Sequence, residues 1–457
     1  MGEMTSKVSK KRVRKKIYGM ILPIATENIL QMTAGFISTG MLGRIGKVAI
    51  SSFGISDRII KILWALFKGI TTGASVFVAQ AYGSNNLKKL RKVVQQTLLS
   101  VIIVGIVLQQ VIFWNAQRLL QFIYGPKPDI LLNAVTYLKT VSWGIPFLGI
   151  MLVVAGVLQG MGNARTPMII AFIMNIFNIC FGYGLIFGNF GLPVLGIKGA
   201  AMAMAIGQFV AAMIGLYVLF NKKGVLGSLY NGNFFKIDIK QIASVYKLGA
   251  PTAFESIFWN VGSILLIRVI LGYGDVAMAS YQLGLQAEAI SYMPAAGFSI
   301  AATAFIGQAL GARDKKLGKT YLKETIKGSF MVTSISVILL VFFPKVILRL
   351  LTDEQEVINL GAKYLILMGL VQIPQNMSGV LNGALRGAGY TRVPMFVAGV
   401  GIWLIRIPFS YLLAYIFDLG IMAIWSVMCV DLVVRFLMSL TLYKKKDIYE
   451  TELVFEE

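Results

Sequence analysis

Long apolar runs, separated by short polar and glycine-containing stretches, dominate this chain. Runs such as 93–114, 165–188 and 323–343 have the length that a helix needs to cross a ~30 Å hydrocarbon layer, about 20 residues. Segments like ILLIRVILG (264–272) and VTSISVILLVFF (332–343) lack the strict alternation over roughly ten residues that marks a barrel strand. The pattern predicts an all-α integral membrane protein of twelve transmembrane helices. Its spans are expected at 17–43, 54–82, 93–114, 132–160, 165–188, 196–221, 245–272, 280–310, 323–343, 358–385, 392–417 and 419–443.

Positive charge orients these spans. Lys88, Lys89, Arg91 and Lys92 follow the second span, Arg313, Lys315, Lys316 and Lys319 the eighth, and Lys444, Lys445 and Lys446 the last. The positive-inside rule then places both termini in the cytoplasm of a cell (inner or plasma) membrane. The basic stretch 1–16 leads into an apolar segment with no small-residue cleavage pattern, so the first span is expected to be retained. The longest connection, 222–244, is polar and central, as a cytoplasmic linker between two lobes should be. The expected organisation is therefore a basic N-terminus (1–16), an N-lobe (17–221), the linker, a C-lobe (245–443) and a cytoplasmic tail (444–457).

The two halves repeat at an offset of about 228 residues. Pro23 and Glu27 align with Pro251 and Glu255, and GKVA (46–49) with GDVA (274–277). VAQAYGSNNLKK (78–89) aligns with IGQALGARDKK (306–316), and LQGMGNARTPM (158–168) with LRGAGYTRVPM (385–395). LGIKG (195–199) aligns with LGIMA (419–423). Each copy has six spans and begins inside, so the copies are parallel, two pseudosymmetric six-helix bundles related by an axis along the membrane normal. A pseudo-twofold of this kind makes a cleft between lobes, where a two-lobed carrier binds its solute.

Composition agrees. The chain is 57% hydrophobic and 14% charged, against roughly 25% charged residues in soluble domains. The net charge of +23 follows from Lys and Arg between apolar runs, with no nucleic-acid-binding motif among them. There is no His, and both cysteines, Cys180 and Cys429, lie inside apolar runs, which argues against metal, disulfide and His-based catalytic chemistry. No zinc-protease, serine-hydrolase or nucleotide-loop motif suggests an enzyme, and two six-span lobes do not resemble a channel with its selectivity filter.

The paired P-x-x-x-E motifs, the sequences AQAYG and GQALG at the ends of the second and eighth spans, and LQGMGNARTPM with LRGAGYTRVPM resemble the multidrug and toxic compound extrusion family. The resemblance covers roughly residues 17–443. It implies a V-shaped pair of six-helix bundles and export of organic, mainly cationic compounds in exchange for Na+ or H+ by alternating access. It implies no cofactor beyond that coupling ion, small-molecule substrates, the lipid bilayer as surroundings and a monomer as the working unit. A flippase of the same superfamily, moving an anionic lipid-linked saccharide, is the alternative.

An ionised side chain at mid-membrane costs about 2.5–3.5 kcal/mol on insertion scales, so each one pairs, faces a wet cavity or works. The acids within spans are Glu27, Asp57, Glu255, Glu288 and Asp431. Glu255 has Trp259 one turn on, a carboxylate beside an aromatic ring suited to a cation. The family's coupling Glu in the seventh helix carries over to Glu255, the one place where Na+ is expected. Glu288 and Glu27 are the further cation-coupling candidates. The bland alternative for Glu255 is a buried Glu satisfied by Asn260 or Ser256. Glu27, Gln31 and Ser38 form a polar stripe on an otherwise apolar helix.

Two departures from the family narrow the field. Ser38 and Thr39 stand where one branch has a coupling Asp, and the tenth span offers Lys363, Gln372 and Asn376 in place of an acid. Asp57, Lys61, Trp64 and Lys68 share one helical face, whose two ammonium groups favour the anionic alternative. Arg406 needs a partner, expected in Glu255 or Glu288, whereas Asp431 and Arg435 read as a structural i,i+4 pair. The substrate cleft is accordingly expected to include Gln31, Asp57, Lys61, Trp64, Trp259, Asn260 and Arg406. Pro146, Pro294 and Pro374 mark possible kinks.

Overall fold

The computed structural model describes residues 10–222, 224–227 and 236–455, and every regular element among them is a helix. Expectations that fall on 1–9, on 223 and 228–235 within the central linker, and on 456–457 lie outside the described residues. The first half contains α1 (Lys10–Ile45), α2 (Lys47–Gly83), α3 (Leu87–Tyr124), α4 (Pro128–Ser142), α5 (Ile145–Gly160), α6 (Arg165–Phe187) and α7 (Ile197–Phe220). The second contains α8 (Ile239–Leu271), α9 (Asp275–Gly311), α10 (Lys315–Phe342), the short α11 (Pro344–Arg349) and α12 (Gln355–Gly387). It ends with α13 (Arg392–Gly399), α14 (Ile407–Tyr411) and α15 (Ile421–Lys445).

Eleven stretches are long and apolar enough to cross a membrane alone, α13 and α14 counting as one continuous helix, Arg392–Ile416. The pair α4 and α5, bent by 51°, makes the twelfth. Large apolar side chains point outward, including Val107, Met331 and Leu437, all more than half exposed. Water would penalise that surface and lipid does not.

Of the three prolines expected to kink, only Pro146 sits at a break, where α4 and α5 meet across Trp143 and Gly144. α9 and α12 run without interruption through Pro294 and Pro374. The irregularity sequence reading did not foresee is in the eleventh span, where wide π-turns at Val400–Arg406 and Leu412–Ile416 flank α14 and its Pro408. Both cysteines are free.

The chain divides into two compact units. One comprises Thr26–Ala81 and Asn86–Ala253; the other comprises Phe254 onward with Tyr82–Asn85 and the chain up to Ala25. The divisions of α1 and α8 fall two residues after the repeated prolines, Pro23 and Pro251.

The internal repeat is visible in the geometry of each unit. Ser52 donates to the Ile130 carbonyl at 3.0 Å, and its counterpart Ser280 donates to the Val357 carbonyl at 3.2 Å. Phe53 meets Tyr137 edge-on at 5.5 Å, and Tyr281 meets Tyr364 at 5.7 Å. The turn before α3 has Asn85 at positive φ and Asn86 capping Lys89 N–H; the turn before α10 has Arg313 at positive φ and Asp314 capping Leu317 N–H.

The glycines of the two Gly-x-Gly motifs have separate tasks. Gly162 and Gly389 adopt φ of 86° and 91°, which a side chain resists. Gly160 and Gly387 instead let α5 and α12 approach the backbone of α2 at Ser75 and of α9 at Thr303. Gly387→Leu is therefore expected to cost about 1–3 kcal/mol by overpacking, seen as a lower melting temperature of the purified protein. Gly19→Ala, which meets open space, should not lower it.

In the second half the core is built on Tyr364 and Trp425, whose rings meet at 5.1 Å, surrounded by Leu266, Ile270, Leu340, Leu365, Met368 and Met428. Apolar layers of this kind fix α8, α9, α12 and α15 against one another and set the register of the polar side chains among them.

Candidate functional site

Glu255 lies midway along α8, and its carboxylate is held by Arg386, the penultimate residue of α12. Both hydrogen bonds come from one nitrogen, Arg386 Nη2, at 2.8 and 2.6 Å, and the two side chains are 16% and 15% exposed. Arg386 Nε is buried without a hydrogen-bond partner among the described residues. The pair opens onto a cavity of about 140 Å³ that Trp259, Asn382, Ser378 and Arg435 also line.

Behind that cavity is a second ionic group of a different character. Asp431, fully buried, accepts from Arg406 Nε at 2.7 Å and from Arg435 Nε at 2.7 Å, and Arg435 Nη2 closes a second bond to the same carboxylate. The Trp259 ring covers both guanidinium groups, at 5.2 Å from Arg406 and 4.3 Å from Arg435. Local structure makes room: Arg406 closes the π-turn Val400–Arg406, and at Gly401 a side chain would run into Asp431 and Arg435.

Glu288 occupies a third setting. It is buried on α9, accepting from Tyr364 Oη at 3.0 Å and from Gln372 Nε2 at 2.8 Å. Asn376, one turn further along α12, donates to Ser291 at 3.1 Å and to Thr333 at 3.0 Å. The polar residues of the tenth span thus brace α9 and α10.

In the other unit, Gln31 donates to Glu27 Oε1 at 3.4 Å, while Glu27 Oε2 is buried without a partner among the described residues. Asp57 pairs with Lys61 at 2.8 Å, and both line a cavity of about 350 Å³ with Ser38, Thr39, Tyr137 and Asn178. Lys68 turns onto the Trp64 ring at 4.8 Å.

Two expectations need correction and one is extended. Arg406 pairs with neither Glu255 nor Glu288: the π-turn brings it to Asp431. The expected i,i+4 pair of Asp431 and Arg435 is present, and Arg406 joins it on the same carboxylate. Asn260 donates to the Ser256 carbonyl of its own helix at 2.8 Å, and it is Arg386 that holds Glu255. Sequence reading missed Arg386 and Asn382. The available signal was a break in the repeat, since Arg386 stands where the first half has Gln159.

The arrangement offers one carboxylate with partial access, both oxygens held by a single guanidinium nitrogen, next to an aromatic ring and amide and hydroxyl groups.

Comparison with known proteins agrees with this fold. Residues 23–184 and 251–412 each match the MatE family model. A probable multidrug resistance protein NorM of Thermotoga maritima is 30% identical over 439 residues, covering 94% of this chain and 92% of its own length. A probable multidrug resistance protein YoeA of Bacillus subtilis is 25% identical, covering 92% of this chain and 91% of its own. In fold, a MATE crystal structure in the straight conformation superposes with a TM-score of 0.87 at 18% identity, over 97% of this chain and 98% of that one. A MOP superfamily transporter from Pyrococcus furiosus gives a TM-score of 0.84, also at 18% identity, over 97% and 98%.

Proposed function

Since the chain belongs to the MatE family of membrane transporters, we propose that it is a secondary active antiporter that exports organic cations in exchange for Na+ or H+. The observation that carries this reading is Glu255, an intramembrane carboxylate at the edge of a cavity, held by only one nitrogen of its partner. A carboxylate in that position binds a proton, a metal cation or an organic cation in mutually exclusive fashion. Mutual exclusion at one site, opened alternately to the two sides, is sufficient for antiport. The name of the Thermotoga relative, a probable multidrug resistance protein, supports a drug-like substrate.

In this reading both termini face the cytoplasm, residues 17–221 and 245–443 act as two lobes, and a single copy suffices. A second reading, transport of an anionic solute, draws on the three guanidinium groups of Arg386, Arg406 and Arg435 set against Glu255 and Asp431. Accumulation of ethidium in cells separates the two. Expressing the wild-type protein is expected to lower steady-state ethidium several-fold, with the effect abolished by collapsing one gradient, Na+ or H+. Equal accumulation with and without the protein favours the anionic solute.

A further inference from the structure

Two carboxylates of the same unit hold arginines in contrasting ways. Asp431 is fully buried and receives three hydrogen bonds from two guanidinium groups, with the fork of Arg435 engaging both its oxygens and Trp259 stacked over both cations. Two parallel N–H···O bonds from a fork are the strong form of this interaction. Glu255 is held by Nη2 of Arg386 alone, and the Nε of that arginine, buried, has no hydrogen-bond partner among the described residues. The first group is closed and the second is releasable.

The surroundings allow release. The cavity at Glu255 measures about 140 Å³, room for a few waters at roughly 30 Å³ each. Asn382, one turn earlier on the same helix, lines the cavity, and its amide oxygen, which accepts from Ser439 at 3.1 Å, has a second lone pair for the freed guanidinium. In the first half Gln159 occupies the matching position, and Glu27 keeps one oxygen without a partner among the described residues.

We infer that Arg386 is a tethered competitor, an internal guanidinium that occupies Glu255 until an external organic cation displaces it, and thereby sets the affinity of the site for cations. The inference rests on the reading of Glu255 as the cation site. It deepens that reading, because the ligand must outcompete a guanidinium that is always present. Only cations that replace its hydrogen bonds or bury apolar surface beside Trp259 do so, which selects amphipathic organic cations.

The test is ethidium binding to purified protein in lipid nanodiscs, followed by fluorescence. Arg386→Gln is expected to bind about tenfold more tightly than wild type, as the fraction of molecules with a free Glu255 rises from roughly a tenth to nearly all. The gain must vanish in the Glu255→Gln/Arg386→Gln double variant, which has the same cavity without either charge. Unchanged or weaker binding by Arg386→Gln, or an equal gain in the Glu255→Gln background, overturns the inference. Should Arg386→Gln not stay monodisperse, Arg386→Lys carries the test: a point charge without the planar guanidinium is expected to give a few-fold gain, and no gain overturns the inference. Failure of the export reading is visible separately, as wild-type protein that exports no ethidium under either gradient while the Arg386 series still shifts binding.

Discussion

Asp431→Ala is expected to remove about 3–5 kcal/mol of stability, the cost of leaving buried charges without their counter-ion, and with it most of the folded protein in the membrane. Asp431 is the only carboxylate that Arg406 and Arg435 touch among the described ion pairs, and all three side chains are buried. Without it, two guanidinium groups packed on one aromatic ring inside the bilayer repel each other. The π-turn that delivers Arg406 and the glycine at 401 that leaves room for Asp431 both lose their purpose. Thermal unfolding of detergent-purified protein checks this. The double variant Asp431→Asn/Arg435→Met, which removes one charge of each sign, should recover a substantial part of the loss. A melting temperature for Asp431→Ala equal to that of wild type would contradict the assignment of this group as the structural anchor of the second half.

Glu255→Gln is expected to lower ethidium export about ten- to a hundredfold, because a charge-assisted contact worth about 1.5–3 kcal/mol is lost from the bound state. The residual transport should no longer respond to the driving gradient. Glu288→Gln is the informative contrast. Its carboxylate is buried and already satisfied by Tyr364 and Gln372, so its replacement should change stability more than gradient dependence. Export measured side by side in the two variants therefore decides which carboxylate carries the coupling ion. A loss of gradient dependence confined to Glu288→Gln would move the ion site away from the cavity at Glu255.

Much of this was legible in the chain itself, for physical reasons. Membrane spans are written locally, since some 20 apolar residues in a row suffice, and the spans read from such runs are all present as helices. The repeat was legible because several matched residues answer a local backbone demand, as Gly162 and Gly389 do at positive φ. Glu255 stood out because an acid within an apolar run is costly wherever it points.

What was not legible depends on partners remote in the chain. Arg386 lies 131 residues from Glu255, and no spacing rule connects them. Arg406 found Asp431, 25 residues away, through a π-turn whose extra residue rotates everything after it. An i,i+4 reading of Asp431 and Arg435 was correct as geometry and incomplete as chemistry, because a carboxylate has two oxygens and a third residue can share them. Asn260 does not satisfy Glu255 for the opposite reason: its amide bonds the Ser256 carbonyl of its own helix.

The most direct test of the antiport account uses purified protein in liposomes, with ethidium uptake followed while a Na+ or a H+ gradient is imposed in turn. The account predicts that one gradient drives ethidium against its own concentration difference in wild type and that neither drives it in Glu255→Gln. Equal ethidium movement with and without either gradient, in wild type, would contradict it.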